Sequence, residues 1–102
     1  MKIQLNQELK DLKGNVLEEG EKKEAITLKS ICVNALLSPL GEKKGEEPDG
    51  TEKMRRFCLA EKIEKANEID LKSEDIVKIK NIVGQGFNTI IVGQVFKMLE
   101  NN

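Results

Sequence analysis

The stretch from Ser73 to Leu99 constrains this chain most, because it holds the clearest helix start, the clearest turn and the densest apolar run. It reads as two helices joined at Gly84-Gln85-Gly86. Ser73 is placed to cap the first, its hydroxyl accepting from a backbone N–H two or three residues on. Glu74 and Asp75 add negative charge where the helix dipole favours it. Ile76, Ile79, Ile82 and Val83 recur at helical spacing. Glu74 and Lys78 stand four apart in the favourable order. Gly84 or Gly86 is expected to end this helix with a positive φ, and Asn88 or Thr89 to cap the next.

The next helix, expected over 88–100, carries Ile90, Ile91, Val92, Val95, Phe96, Met98 and Leu99 and leaves little polar surface. Its β-branched residues are mediocre helix formers, so a strand at Thr89–Val92 is the rival reading. Helix is preferred because the apolar set does not alternate strictly and Gln94 and Lys97 share a narrow exposed side. A helix apolar nearly all round is either central in a fold or covered by a partner. Gly93 within it is expected where a backbone packs closely against another helix.

Length allows one small domain over 1–102, with a modest core. The 17 Lys and Arg against 18 Asp and Glu argue against a dominant phosphate-binding surface. No run is long enough to span a membrane, and Met1-Lys-Ile-Gln-Leu-Asn lacks the apolar core of a signal peptide. Cys32 and Cys58 each sit in an apolar helical pattern. They read as reduced, buried small hydrophobes of a cytosolic protein, with a disulfide between facing helices as the alternative.

Ahead of the helices, Ile3-Gln-Leu-Asn alternates apolar and polar as a strand does. Asp11 to Asn15 forms a turn signal, and Val16-Leu17 can return as a second strand. The N-terminus is therefore expected to be a short β-hairpin. Residues 18–26 read as a polar connector. Thr27 is the expected cap of a helix over 27–38, with Leu28, Ile31, Cys32, Ala35 and Leu36 on one face and Val33 and Leu37 widening it. Pro39 stops it. Residues 41–50 contain three glycines, one proline and no hydrophobic residue, and are expected to be a mobile loop.

A helix over 51–67 follows, with Thr51 as its expected cap and Phe57, Ala60 and Ile63, flanked by Leu59, as its apolar stripe. Met54 and Cys58 lie on the other side of its first half, which a second element can then contact. Arg55-Arg56 is the adjacent arginine pair in the chain and suits an acidic partner or a phosphate.

Catalytic chemistry finds little support. The chain has no His, the commonest general base and metal ligand. Ser30 and Ser38 therefore have no triad partner. Gly84-Gln-Gly-Phe87 has no preceding strand and no Gly-Lys-Ser/Thr, so it is not a phosphate loop. Carboxylate pairs such as Glu46–Glu47 and Glu74–Asp75 fall in exposed segments, where nothing raises a pKa. The acidic residues near Asp49 lack the ordered ligand spacing of a calcium loop.

The segments Asp11-Leu-Lys-Gly-Asn15, Thr27-Leu-Lys-Ser-Ile-Cys-Val-Asn-Ala-Leu-Leu37, Arg56-Phe-Cys-Leu-Ala-Glu-Lys-Ile63 and Val92-Gly-Gln-Val-Phe-Lys-Met-Leu99 together resemble small uncharacterised proteins encoded by phages and prophages. The resemblance covers most of the chain and rests on packing and turn residues. It implies a host-cytoplasm setting and a role in assembly, regulation or inhibition of host machinery, and it names no functional residue.

The expected fold is mostly α, or α+β if the hairpin is counted: a short N-terminal β-hairpin, then four helices over 27–38, 51–67, 73–84 and 88–100. Ile31, Leu36, Phe57, Leu59, Ile63, Ile76, Ile79, Val83, Ile91, Val95 and Phe96 are the expected core. The expected function is a non-catalytic, cytoplasmic protein-interaction module without cofactor, binding a protein partner or itself. Ile91, Val95, Met98 and Leu99 are its first candidate contacts and Arg55 and Arg56 its second. The alternative is a helix-turn-helix-like DNA-binding regulator turning at Gly84–Gly86. That reading is disfavoured because only Asn88, Gln94 and Lys97 of the last helix could read base edges.

Overall fold

Ile3 and Leu5 are buried while Lys2, Gln4 and Asn6 face solvent, as a period of two requires. In the computed structural model, which describes residues 2–37 and 49–100, this alternation forms β1 (Lys2–Gln4). Its partner is not Val16-Leu17. It pairs antiparallel with β4 (Glu68–Asp70), in the register Lys2↔Asp70, Ile3↔Ile69 and Gln4↔Glu68. The alternation fixes which face is buried but says nothing about which edge is joined. Residues 68–70, just ahead of Ser73, supply that edge.

The Asp11–Asn15 turn forms as its residues dictate. Gly14 takes φ +92, Asp11 N–H donates to the Asn15 carbonyl at 2.8 Å, and the Asp11 carboxylate accepts from the N–H groups of Lys13 and Asn15. The turn sets Lys10 opposite Val16 in an isolated antiparallel bridge. Leu17 N–H then donates to Leu9 C=O, Ile26 N–H to Leu17 C=O, and Leu9 N–H to Ile26 C=O, each at 2.8 Å. That triangle carries pairing outward into β2 (Glu18–Glu19) and β3 (Glu24–Ala25). Residues 18–26 are thus polar as expected, but they are a hairpin rather than a connector. Gly20 at φ +76 turns it, with Lys23 also at positive φ. Leu17 and Ile26, half-buried against the core, anchor its base.

Four helices follow: α1 (Leu28–Leu37), α2 (Gly50–Lys65), α3 (Ser73–Gly86) and α4 (Thr89–Glu100). Thr27 caps α1 reciprocally: its Oγ1 accepts from Ser30 N–H at 3.1 Å, and Ser30 Oγ accepts from Thr27 N–H at 3.0 Å. Asp49, not Thr51, caps α2, accepting from Glu52 N–H at 2.8 Å. A carboxylate one residue ahead of Gly50 outcompetes the threonine for the orphan N–H groups. Ser73 is the first residue of α3 rather than its cap; Lys72 holds that position without a side-chain bond. The helix runs through Gly84 to Gly86, and neither glycine takes a positive φ. Extended backbone at Phe87 ends it instead. A Cβ at Gly84 would stand 3.6 Å from the Phe96 ring, an ordinary van der Waals contact, so packing does not demand glycine there. Asn88 Oδ1 caps α4 on Ile91 N–H at 3.2 Å, and the rival strand at Thr89–Val92 does not form. The expected loop over 41–50 lies outside the described residues except for Asp49 and Gly50, and so does the helix stop at Ser38-Pro39.

One core joins the N-terminal segment to all four helices. α1 packs on both α2 and α3, and α3 packs on α4. Ile31, Leu36, Leu59, Ile63, Ile79, Val83 and Val95 are buried as expected, while Ile76, Ile91 and Phe96 are half-buried. Phe57 is a correction, standing 54% exposed. At about 100° per residue, the stripe that α2 actually buries, Leu59, Ala60 and Ile63, leaves Phe57 at its edge. Cys58 is exposed for the same reason, whereas Cys32 is buried. Burial pushes the Cys32 thiol up to about 12. Both cysteines are free thiols, so no disulfide links the helices.

Candidate functional site

The apolar run of α4 turns out to be largely internal. Val95 and Leu99, offered by the sequence as partner contacts, are 0% and 1% exposed and belong to the core. Ile91 and Met98 are half-buried against it. The apolar cover for α4 comes in part from the N-terminal segment. Ile3, Leu5 and Leu9, all buried, enlarge the same core from the N-terminal side.

The arginine pair is split by the helix. Arg55 is exposed. Arg56 turns inward, its side chain 12% exposed, with Nε 3.5 Å from Glu52 Oε1. Lys78 Nζ of α3 reaches the same oxygen at 2.8 Å, so Glu52 ties α2 to α3. The hydrogen bond from Lys78 holds the Glu52 carboxyl below the usual carboxylate range, against a smaller opposing effect of burial, and Arg56 adds to the lowering. A depressed folded-state pKa contributes stability that is present above the unfolded value and lost as pH falls through the folded one. Glu52→Gln is therefore expected to flatten the acid limb of a Tm-against-pH profile, leaving the slope above neutral pH unchanged.

The recognition-helix reading loses its side chains here. Asn88 is the α4 cap. Gln94 Oε1 accepts from Lys10 N–H at 2.8 Å, and its Nε2 donates to Lys10 C=O at 2.6 Å and Ile90 C=O at 3.0 Å. Of the three residues suited to base edges, only Lys97 is left.

What α2 offers instead is an exposed apolar face. Met54 is 68% exposed and Phe57 54%, one turn apart, with Cys58 beside them. Leu37, at the end of α1, is 51% exposed. Leu37 and Phe57 line a groove of about 380 Å³ between α1 and α2, with Val33 and Ala60 on its apolar side and Glu61, Glu64 and Lys65 on its rim. The sequence marked Met54 and Cys58 as a second side of α2 but missed Phe57 and Leu37. A phenylalanine at the edge of an apolar stripe looks the same in a sequence whichever side of the edge it falls on.

Among the described residues, no three His, Cys, Asp or Glu side chains are grouped to hold a metal ion. No described helix is long and apolar enough to cross a membrane. Comparison with protein-family models, with curated proteins and with solved structures finds no match.

Proposed function

We propose that this chain is a non-catalytic protein-interaction module whose partner is held on the α1–α2 face. The observation that carries this reading is the grouping of Leu37, Met54 and Phe57, each at least half exposed, on adjoining helices. Isolated exposed leucines are ordinary on a monomer, but a contiguous group that includes an aromatic and a methionine has the composition of an interface centre. Arg55, exposed beside it, is the charged contact, and Ile91 and Met98 are secondary. The resemblance to small phage and prophage proteins supports a cytoplasmic setting and a role in assembly, regulation or inhibition of host machinery.

The test is affinity capture with the intact chain from its native host, alongside Met54→Ala/Phe57→Ala, with mass measured by light scattering. Phe57→Ala is expected to lower stability by about 1 kcal/mol or less, because half of the ring is already in water. The double variant is expected to lose the partner at least tenfold. A self-associating chain is expected to show a dimer mass that this variant returns to monomer. Equal recovery by wild type and double variant, with monomer mass for both, overturns the assignment.

A further inference from the structure

A second surface stands apart from the α1–α2 face. The turn at Asp11 overhangs α4 and encloses with it a groove of about 570 Å³, lined by Lys10, Leu12, Thr89, Ile90, Gly93 and Lys97 among others. Thr89, Gly93 and Lys97 recur every fourth residue, so the trough follows one face of α4 for about 12 Å, two helical turns. Two of its residues have no internal explanation. Leu12 is 98% exposed, although the turn that carries it is fixed by the Asp11 carboxylate and clamped to α4 by Gln94. Gly93 sits inside a helix, where alanine is favoured, yet a Cβ there would meet nothing within 4 Å. The close helix contact that the sequence suggests for Gly93 is absent among the described residues.

The rim decides the chemistry of what fills the trough. Gln94 and the Asp11 carboxylate are engaged by backbone groups of the chain. The ammonium groups of Lys10 and Lys97 have no ion-pair partner among the described residues. What remains on offer is an apolar floor flanked by two unpaired cations, with the ionised Asp11 carboxylate on the same rim turned to its own backbone N–H groups. A helical backbone bared at Gly93 lets another backbone approach closely. We propose that this trough docks an acidic amphipathic helix of a partner protein, seating a large apolar side chain between Leu12 and Ile90 above Gly93, with carboxylates toward Lys10 and Lys97. With the α1–α2 face, the chain then has two separate docking surfaces.

The probe is a synthetic helical peptide with Leu and Phe one turn apart on one face and Glu on both flanks. Its counterpart carries Lys in place of Glu. Both are titrated into the intact, isotope-labelled chain and followed by amide shifts. The acidic peptide is expected to shift Leu12, Ile90 and Gly93, and the basic one to bind at least tenfold more weakly. Leu12→Ala and Gly93→Ala are each expected to weaken the acidic peptide about tenfold. Gly93→Ala at the same time raises Tm by about 4–8 °C through helix propensity, which separates lost binding from lost folding. Phe57→Ala is expected to leave this binding unchanged. Failure of the acidic peptide to bind, equal binding of both peptides, wild-type affinity in Leu12→Ala and Gly93→Ala, or shifts confined to α2 would each overturn the proposal.

Discussion

Deleting residues 2–9 is expected to leave a chain that no longer unfolds cooperatively. The segment holds only three strand residues, and its weight comes from burial. Ile3, Leu5 and Leu9 are 0%, 1% and 0% exposed. Reducing one buried leucine or isoleucine to alanine costs about 2–5 kcal/mol, so losing three approaches the entire ~5–15 kcal/mol that holds a domain together. The deletion also strips β4 of its one strand partner among the described residues and leaves Asn67 C=O without the Leu5 N–H that donates to it at 2.9 Å. Calorimetry should show no sharp transition, and amide proton shifts should collapse toward random-coil values. A truncated chain that still melts sharply would mean that the helices are self-sufficient.

Ile79→Ala should destabilise the protein by about 2–5 kcal/mol, while Val77→Ala on the same helix should change it by less than about 0.5 kcal/mol. Ile79 is 0% exposed and Val77 55%. Two positions along α3 rotate a side chain by about 200°, from core to solvent. Urea unfolding with an unchanged slope and a shifted midpoint would isolate the stability term. Similar losses at both sites would mean that α3 is rotated from the orientation described.

The helices were legible because their information is local. Ile76, Ile79, Ile82 and Val83 state a period, and Thr27 and Asn88 state where helices begin, in residues that touch their own neighbours. The misreadings share the opposite property. Ile3 announces a buried face, yet its partner Ile69 lies beyond two helices. Leu9 has no alternation around it long enough to read, and its burial depends on Leu17 and Ile26 closing the triangle. Val95 and Leu99 looked surplus only because those N-terminal leucines were not counted against them. Val95 and Leu99 drop out of the first candidate site with that burial, while Ile91 and Met98 stay half-buried, and Arg56 of the second is drawn toward Glu52. The exposed α1–α2 face was half visible in Met54 and Cys58. Its aromatic centre became visible only once the inward side of α2 was known.

The pairing of β1 with β4 also has a bearing on synthesis. Ile3 leaves the ribosome 66 positions ahead of Ile69 (69 − 3). At about 5–20 residues per second, it waits roughly 3–13 s for its partner to be made. During that interval the nascent chain carries two unsheltered apolar side chains, Ile3 on a strand with open edges and Leu5 just beyond it. Chaperone capture and aggregation compete with folding in that window. The strand that completes this pairing is thus translated long before its partner and is among the last of the described elements able to dock.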